Sequence, residues 1–356
     1  MSIGIDASFL QGDLNLTMDY FIRKSKDLLL YRQTRPSTGF SQVYTNYGEI
    51  ENKGFEFSLA YNKRLNKDWS INATLTGSTL KNKIKKMGEP AYNTNSDSSG
   101  KGTEDGSNTG AVGAAAGYHW GNHSICKEGY AVGSFYGFRV EGVFQSDAEV
   151  EAMNKAATLA AGKDWEKEKV YYQTDGTKAG DFKYKDLNGD GIINEDDMDI
   201  LGDGFPTLNY GLNLGASYKN WDFGFNGHGS AGNWVFNDFA SANSTSNIDI
   251  NAGNLPNFAR LVKKTGFTKA NSGEQWYSDM FLENASFFRM DDINLGYTFN
   301  KIGNWKGSMR VAFGVQNVFV ITDYSGVDPE IPGVNGIDGS IWPRPRTYSL
   351  RLNVNF

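Results

Sequence analysis

Cysteine is nearly absent from this sequence. Cys126 stands alone among 356 residues, which excludes a framework of internal disulfides. Long apolar runs are missing as well. No stretch approaches the roughly 18 apolar residues that a membrane-spanning helix requires, and mean hydropathy is −0.50. Clusters of positive charge are lacking: Lys and Arg are scattered and the net charge is −6, so no nucleic-acid partner is expected. The opening Met1-Ser2-Ile3-Gly4-Ile5-Asp6 has neither a basic nor an apolar signal region, so a signal peptide is not expected there. Three histidines leave little material for a zinc centre. His119, His123 and Cys126 are spaced like ligands, but no fourth donor is near, and chance explains the spacing. The glycine-rich 99–117 stretch lacks the lysine of a phosphate loop, and no nucleophile elbow is present, so an enzyme is not expected.

Period-two alternation is abundant instead. Leu208, Tyr210, Leu212, Leu214, Ala216 and Tyr218 alternate with Asn209, Gly211, Asn213, Gly215 and Ser217. Trp221, Phe223 and Phe225 alternate in the same way with Asp222, Gly224 and Asn226. Similar runs at 3–11, 14–23, 52–64, 68–79, 287–299, 308–320 and 348–356 bring the expected total to about nine strands. Each is near or above the 9–11 residues that cross a bilayer when tilted. The connections fall into two classes. Gly12-Asp13, Asn66-Lys67, Lys219-Asn220 and 300–307 are short, whereas 25–50, 81–131, 144–207, 232–285 and 321–344 are long. Short turns alternating with long loops, with Trp69, Tyr210, Tyr218, Trp221 and Tyr348 as girdle aromatics, predict an all-β fold of antiparallel transmembrane barrel strands. Asp19, Arg310, Gln316 and Arg351 fall on the polar face, which would line a wet lumen or meet a plug.

Two features stand out within the long 144–207 connection. Ser146 followed by Glu149 forms a capping-box pattern, and Val150, Met153 and Ala157 follow at helical spacing. A short helix is expected over 147–161, stopped at Gly162. Residues 186–197 match a calcium loop. Asp186, Asn188 and Asp190 supply oxygens at positions 1, 3 and 5, and Gly191 makes the sharp turn. Ile192 offers its carbonyl, Asn194 a direct or water-mediated contact, and Asp197 closes position 12. A structural calcium ion pinning a surface loop is the expectation. A polar turn without an ion is the alternative, and it would leave several carboxylates close together.

With these elements in place, a resemblance can be stated. Glu51-Asn52-Lys53-Gly54-Phe55-Glu56, Gly133-Ser134-Phe135-Tyr136-Gly137-Phe138 and Gly142-Val143-Phe144-Gln145-Ser146 are similar to motifs of the SusC/RagA family of TonB-linked outer-membrane proteins. So are Gly180-Asp181-Phe182, Leu201-Gly202, Ala285-Ser286 with Arg289, Gln316-Asn317-Val318-Phe319, Tyr324 to Glu330, and Arg346 to Phe356. They run in family order along nearly the whole chain, with Glu141 standing where the family more often has Asp. The resemblance implies the C-terminal barrel portion of a transporter, covering 1–356 without its plug, with 144–207 as an extracellular insertion. It also implies a SusD-like surface lipoprotein, a TonB complex acting through an absent N-terminal part, and oligosaccharide or peptide cargo. On that reading Met1 is the start of a truncated or partial chain, and the location is the outer membrane. Tyr348, Leu350, Leu352, Val354 and Phe356 resemble the terminal signal strand that outer-membrane assembly machinery engages. Trp120, Trp234 and Trp276 are loop aromatics that would stack on sugar rings, or else serve as girdle or loop-packing residues. The competing expectation is a secreted soluble β-protein that binds glycans and carries a dockerin-like calcium loop.

Overall fold

A computed structural model describes residues 1–33, 39–40, 42–46, 48–86, 110–111, 124–237, 276–300, 307–331, 336–338 and 341–355. Nine long strands form one antiparallel meander: β1 (Ser2–Phe9), β2 (Leu14–Ser25), β3 (Glu49–Arg64), β4 (Trp69–Thr79), β5 (Leu208–Tyr218), β6 (Trp221–Ala231), β7 (Phe287–Phe299), β8 (Ser308–Thr322) and β9 (Thr347–Asn355). Each pairs with its neighbours in sequence order, and among the described residues β1 and β9 do not pair with each other. The result is a partial, open barrel wall. Every short turn lies at one end, and every long connection lies at the other. An odd number of strands sends β1 and β9 in the same direction.

The register explains why alternation was so legible. One rung joins Phe9, Leu14, Tyr61, Ala73, Leu214, Phe225, Ile293, Val315 and Tyr348, each directly opposite the next. A neighbouring rung joins Asn62, Asn72, Gly215, Gly224, Asn294, Gly314 and Ser349. The two faces are therefore chemically opposite. On the apolar face Ile3, Ile5, Leu75, Phe223, Leu295, Phe313 and Leu350 remain exposed, Leu350 to 76%. A face this apolar and this broad calls for a nonaqueous neighbour. At the short-turn end Trp69 packs against Tyr218 in a tilted pair at 4.5 Å, and Trp221 meets Tyr297 edge-on at 4.7 Å. The girdle is there, with Tyr297 added to the residues expected. Toward the opposite end, rings cover glycines: Tyr210 lies over Gly229 and Phe57 over Gly77, where a Cβ would collide with the ring. These pairs fill the gaps that glycine leaves in a strand.

Two boundaries depart from expectation. The first strand ends at Phe9, because Leu10 and Gln11 adopt positive φ in a 3-10 turn that runs through Gly12. The connection is thus longer than Gly12-Asp13 alone. The larger departure concerns the long connections, which hold short strands as well as the expected helix. Ser134–Gly137 pairs with Ser124–Cys126 and Asp199–Gly202, Val140–Val143 with Phe182–Tyr184, and Trp234–Asn237 with Leu282–Asn284. At three or four residues each, and buried on both faces in places, they carry no sustained alternation to read.

These pieces build a cap whose core contains Phe135, Phe138, Phe144, Tyr184, Phe236, Trp276 and Phe281. The principal hydrophobic core thus lies in the connections and not in the wall. The helix α1 (Asp147–Ala160) packs on it through Val150, Met153 and Ala157. Ser146 Oγ accepts the Glu149 amide, while the Glu149 carboxylate reaches back to the Gln145 amide, one residue beyond the expected partner. At the other end the Gly162 amide donates to Leu159 and the Lys163 amide to Thr158, with Gly162 at φ +69°. This is a Schellman closure. The 144–207 segment shares its core with 135–143, 236 and 276–282.

Replacing Ile293 with Arg places a charge on the apolar face and is expected to cost about 2–4 kcal/mol of folding free energy in a bilayer. Asn294→Arg on the opposite face is expected to cost far less. The folded, heat-modifiable fraction on gels reads the difference, and equal losses would contradict the assignment of faces.

Candidate functional site

At the long-loop end of the wall, β6, β7 and β8 meet the segment after β8 in a network of charges. A bulge around Asp291 interrupts both ladders of β7, and Asn317 on β8 takes a positive φ of 51°. The bulge turns Asp291 toward His228, whose Nδ1 lies 2.6 Å from the carboxylate. His228 Nε2 lies 3.0 Å from Glu330. Arg289, only 3% exposed, donates to Asp328 at 2.6 Å, Glu330 at 2.7 Å and the Asn317 side chain at 2.8 Å. Arg344 joins from the segment before β9, at 3.2 Å from Asp328 and 2.8 Å from Glu330. Asn317 in turn donates to the Arg344 carbonyl at 2.8 Å.

A buried guanidinium is tolerable only when its donors are met, and here two carboxylates and an amide oxygen meet them. Burial raises the affinity of Glu330 for its proton, but the His228 hydrogen bond and the Arg344 and Arg289 charges outweigh it and hold the carboxyl below its ordinary range. Arg289, Asn317, Asp328, Glu330 and Arg346, whose Nε donates to the Asn317 carbonyl at 3.2 Å, come from four separate sequence motifs. Their common role is to tie the segment after β8 down onto the wall.

The polar face below this network is itself bonded. Arg310 grips Asp222 through two bonds at 2.9 and 2.5 Å, and Ser70 meets Ser217 at 2.6 Å. Asn213 donates to Asn226, which donates to Asp292. Arg351 and Gln316 line a pocket of about 160 Å³ on the same face. The chemistry is that of a wetted wall with fixed charges.

The 186–197 loop closes on its own amides. Asp186 accepts from Gly189 at 2.6 Å and Gly191 at 2.8 Å, Asn188 from the Asp190 amide, and Asp190 from Ile192. The buried Asp197 accepts from Leu187 and Asn194, and Asn194 caps a short 3-10 turn through the Asp196 amide. Gly189 and Gly191 have φ of +78° and +87°, which explains both glycines. Among the described residues no three His, Cys, Asp or Glu side chains converge as a metal cluster. The donors are nonetheless all oxygens, which is the chemistry a hard cation requires, and Asp197 Oδ1 already accepts both the Leu187 and Asn188 amides. Tyr172 links the loop to α1: its carbonyl accepts the Ile193 amide at 2.6 Å, and its amide donates to Asn154 at 2.8 Å. Burial, reinforced by the Glu141 and Asp186 charges, pushes its hydroxyl up to about 12.

The three loop tryptophans part company. Trp276 is 2% exposed and stacks on Tyr184 at 4.8 Å, so its ring serves the cap core and offers no face to a sugar. Trp234 is 42% exposed and lines an open cavity of about 650 Å³. Trp120 lies outside the described residues, as do His119, His123 and Phe356. Cys126 is buried, and burial pushes its thiol up, away from the thiolate a metal would need. Tyr348, Leu350, Leu352 and Val354 all lie on the exposed face of β9.

No family model matches the chain. Over 99% of its length it is 32% identical to TonB-dependent receptor SusC of Bacteroides thetaiotaomicron, spanning 31% of that protein. It is 28% identical over its full length to TonB-dependent receptor P3 of Formosa agariphila, spanning 34% of it. By sequence, the chain is similar to SusC-type TonB-dependent receptors. It spans about a third of the length of the curated relatives it matches. Among solved structures, the RagAB peptide transporter matches all of the chain and 35% of its own, at 21% identity and a TM-score of 0.68. The RagAB peptide importer in its open-open state gives 0.69 at 20% identity, covering all of this chain and 34% of its own. The solved structures establish the barrel fold, and the likeness to these receptors places the chain in the outer membrane. The soluble alternative does not fit that location, and the exposed apolar face suits a lipid neighbour.

Arg289→Met would leave Asp328 and Glu330 without their buried partner and is expected to destabilise the fold by about 3–5 kcal/mol. Urea unfolding in detergent measures it, and a change near zero would show that the network does not hold the mouth.

Proposed function

We propose that this chain forms the C-terminal part of the wall and outer cap of an importer for oligosaccharides or peptides. The two-faced sheet carries the reading: an apolar surface suited to lipid is backed by a polar surface suited to passing solutes. On this reading the cap faces outward and receives a SusD-like surface lipoprotein. Parts of the longer protein supply the plug and the contact with TonB, whose energy drives uptake. The outer-membrane assembly machinery engages β9, whose outward Tyr348, Leu350, Leu352 and Val354 suit the role of an insertion signal. Cells lacking the gene are expected to lose growth on the oligomeric nutrient while keeping growth on its monomers. Undiminished growth on every oligosaccharide and peptide tested would contradict the proposal.

Calcium at 186–197 is part of the same reading. Asp186, Asn188, Asp190, Asp197, the Ile192 carbonyl and Asn194 would hold the ion, which supplies a structural clip and no chemistry. Its support is the all-oxygen donor set and the chain of Asp and Asn turns with Gly191 at the bend. At about a hundredfold excess over the dissociation constant, calcium would add about 2.7 kcal/mol of stability. Thermal melting of the detergent-solubilised protein is expected to rise with calcium and fall with chelator. Replacing both Asp186 and Asp190 with Asn should abolish that response, and an unresponsive wild-type protein would exclude the site.

A further inference from the structure

Above β4 the chain runs on as a strand, Lys81–Lys86, paired back onto β3, and β5 does not begin until Leu208. The gap between them is the open cavity of about 650 Å³. That size lies within the range of small-ligand sites. Lys81, Lys83, Tyr130, Gly202, Asp203 and Trp234 are among the residues that line it. Trp234 and Tyr130 each leave 42% of their surface uncovered, an unusual share for large aromatics in a folded cap. Lys81 and Lys83 make no ion pair among the described residues, whereas Lys85, two residues on, is held by Glu51 at 3.7 Å. A Cβ built on Gly202 would meet nothing within 4 Å, so no side chain screens this stretch of the wall. Asp203 uses one oxygen to accept the Phe205 amide at 3.0 Å and keeps the other for a hydroxyl.

We infer that this cavity is a binding site for an acidic oligosaccharide, one carrying carboxylate or sulfate groups. The aromatic rings take the C–H faces of the sugar rings, Lys81 and Lys83 take the anionic groups, and Asp203 takes hydroxyls beside the open space at Gly202. A neutral glycan would use the rings but leave both ammonium groups unanswered. An acidic peptide would satisfy the ammonium groups and present no flat C–H face to the aromatics. The inference rests on the proposed role in import and specifies the cargo class that this wall selects.

The test measures binding without transport, on the full-length protein in detergent, by calorimetry with trigalacturonate, maltotriose and a triglutamate peptide. Trigalacturonate is expected to bind at least about tenfold more tightly than either of the others, and its affinity should fall with added salt while that of maltotriose does not. Trp234→Ala should weaken trigalacturonate about tenfold or more, and the Lys81→Ala, Lys83→Ala double variant should remove the preference for it over maltotriose. Equal affinities for the two sugars, tighter binding of the peptide, no binding of any, or variants indistinguishable from wild type would each overturn the site. Loss of import in cells with this binding intact would count against the transport reading alone.

Discussion

A backbone placed in lipid has no water to satisfy its amides and carbonyls, and this constraint organises the whole molecule. It requires that every strand be paired along its length and that side chains alternate between two solvents. Among the described residues the ladders from β2 to β8, continuous but for the bulge at Asp291, meet the first requirement, while β1 and β9 are paired on one side only. The apolar rung from Phe9 to Tyr348, lying beside the Asn62-to-Ser349 rung of amides, hydroxyls and glycines, meets the second. Once the wall is committed to two faces it cannot also enclose a conventional core. The core moves to the cap, where Phe135, Phe138, Tyr184 and Trp276 pack in a region free of the bilayer.

The join between wall and cap is electrostatic. Bulges are costly in a wall that must remain paired, yet one occurs at Asp291, where it re-aims a carboxylate toward His228. Arg289 then gathers Asp328 and Glu330 from the segment after β8. Removal of one partner from such a cluster costs far more than the pair contributes, because the remaining charges stay buried. The network therefore fixes the position of the mouth more than it adds to overall stability.

The wall was legible in the sequence and the cap was not, for physical reasons. Leu208 to Tyr218 reads as a strand because a face between lipid and water imposes strict alternation over eleven residues. Phe182–Tyr184 has three residues and a core on one side, which leaves no period to detect. The helix was legible because its signals are local: Ser146 at one end and Gly162 at the other. Long-range placement was not local. Nothing near Trp276 announces that its ring will be closed off by Tyr184, ninety-two residues earlier, while Trp234 stays open. Motifs such as Asp328-Pro329-Glu330 were visible as strings, and only the fold shows that Arg289 is their common partner.

The central claim is that one face of the sheet meets lipid and the other meets water. It is tested most directly by spin labels placed singly at Leu212, Asn213, Leu214 and Gly215 in membrane-inserted protein, with their collision rates measured against oxygen and a water-soluble nickel complex. Labels at 212 and 214 should be accessible to oxygen and shielded from nickel, and labels at 213 and 215 should show the reverse. Uniform accessibility to nickel along all four positions would contradict the account.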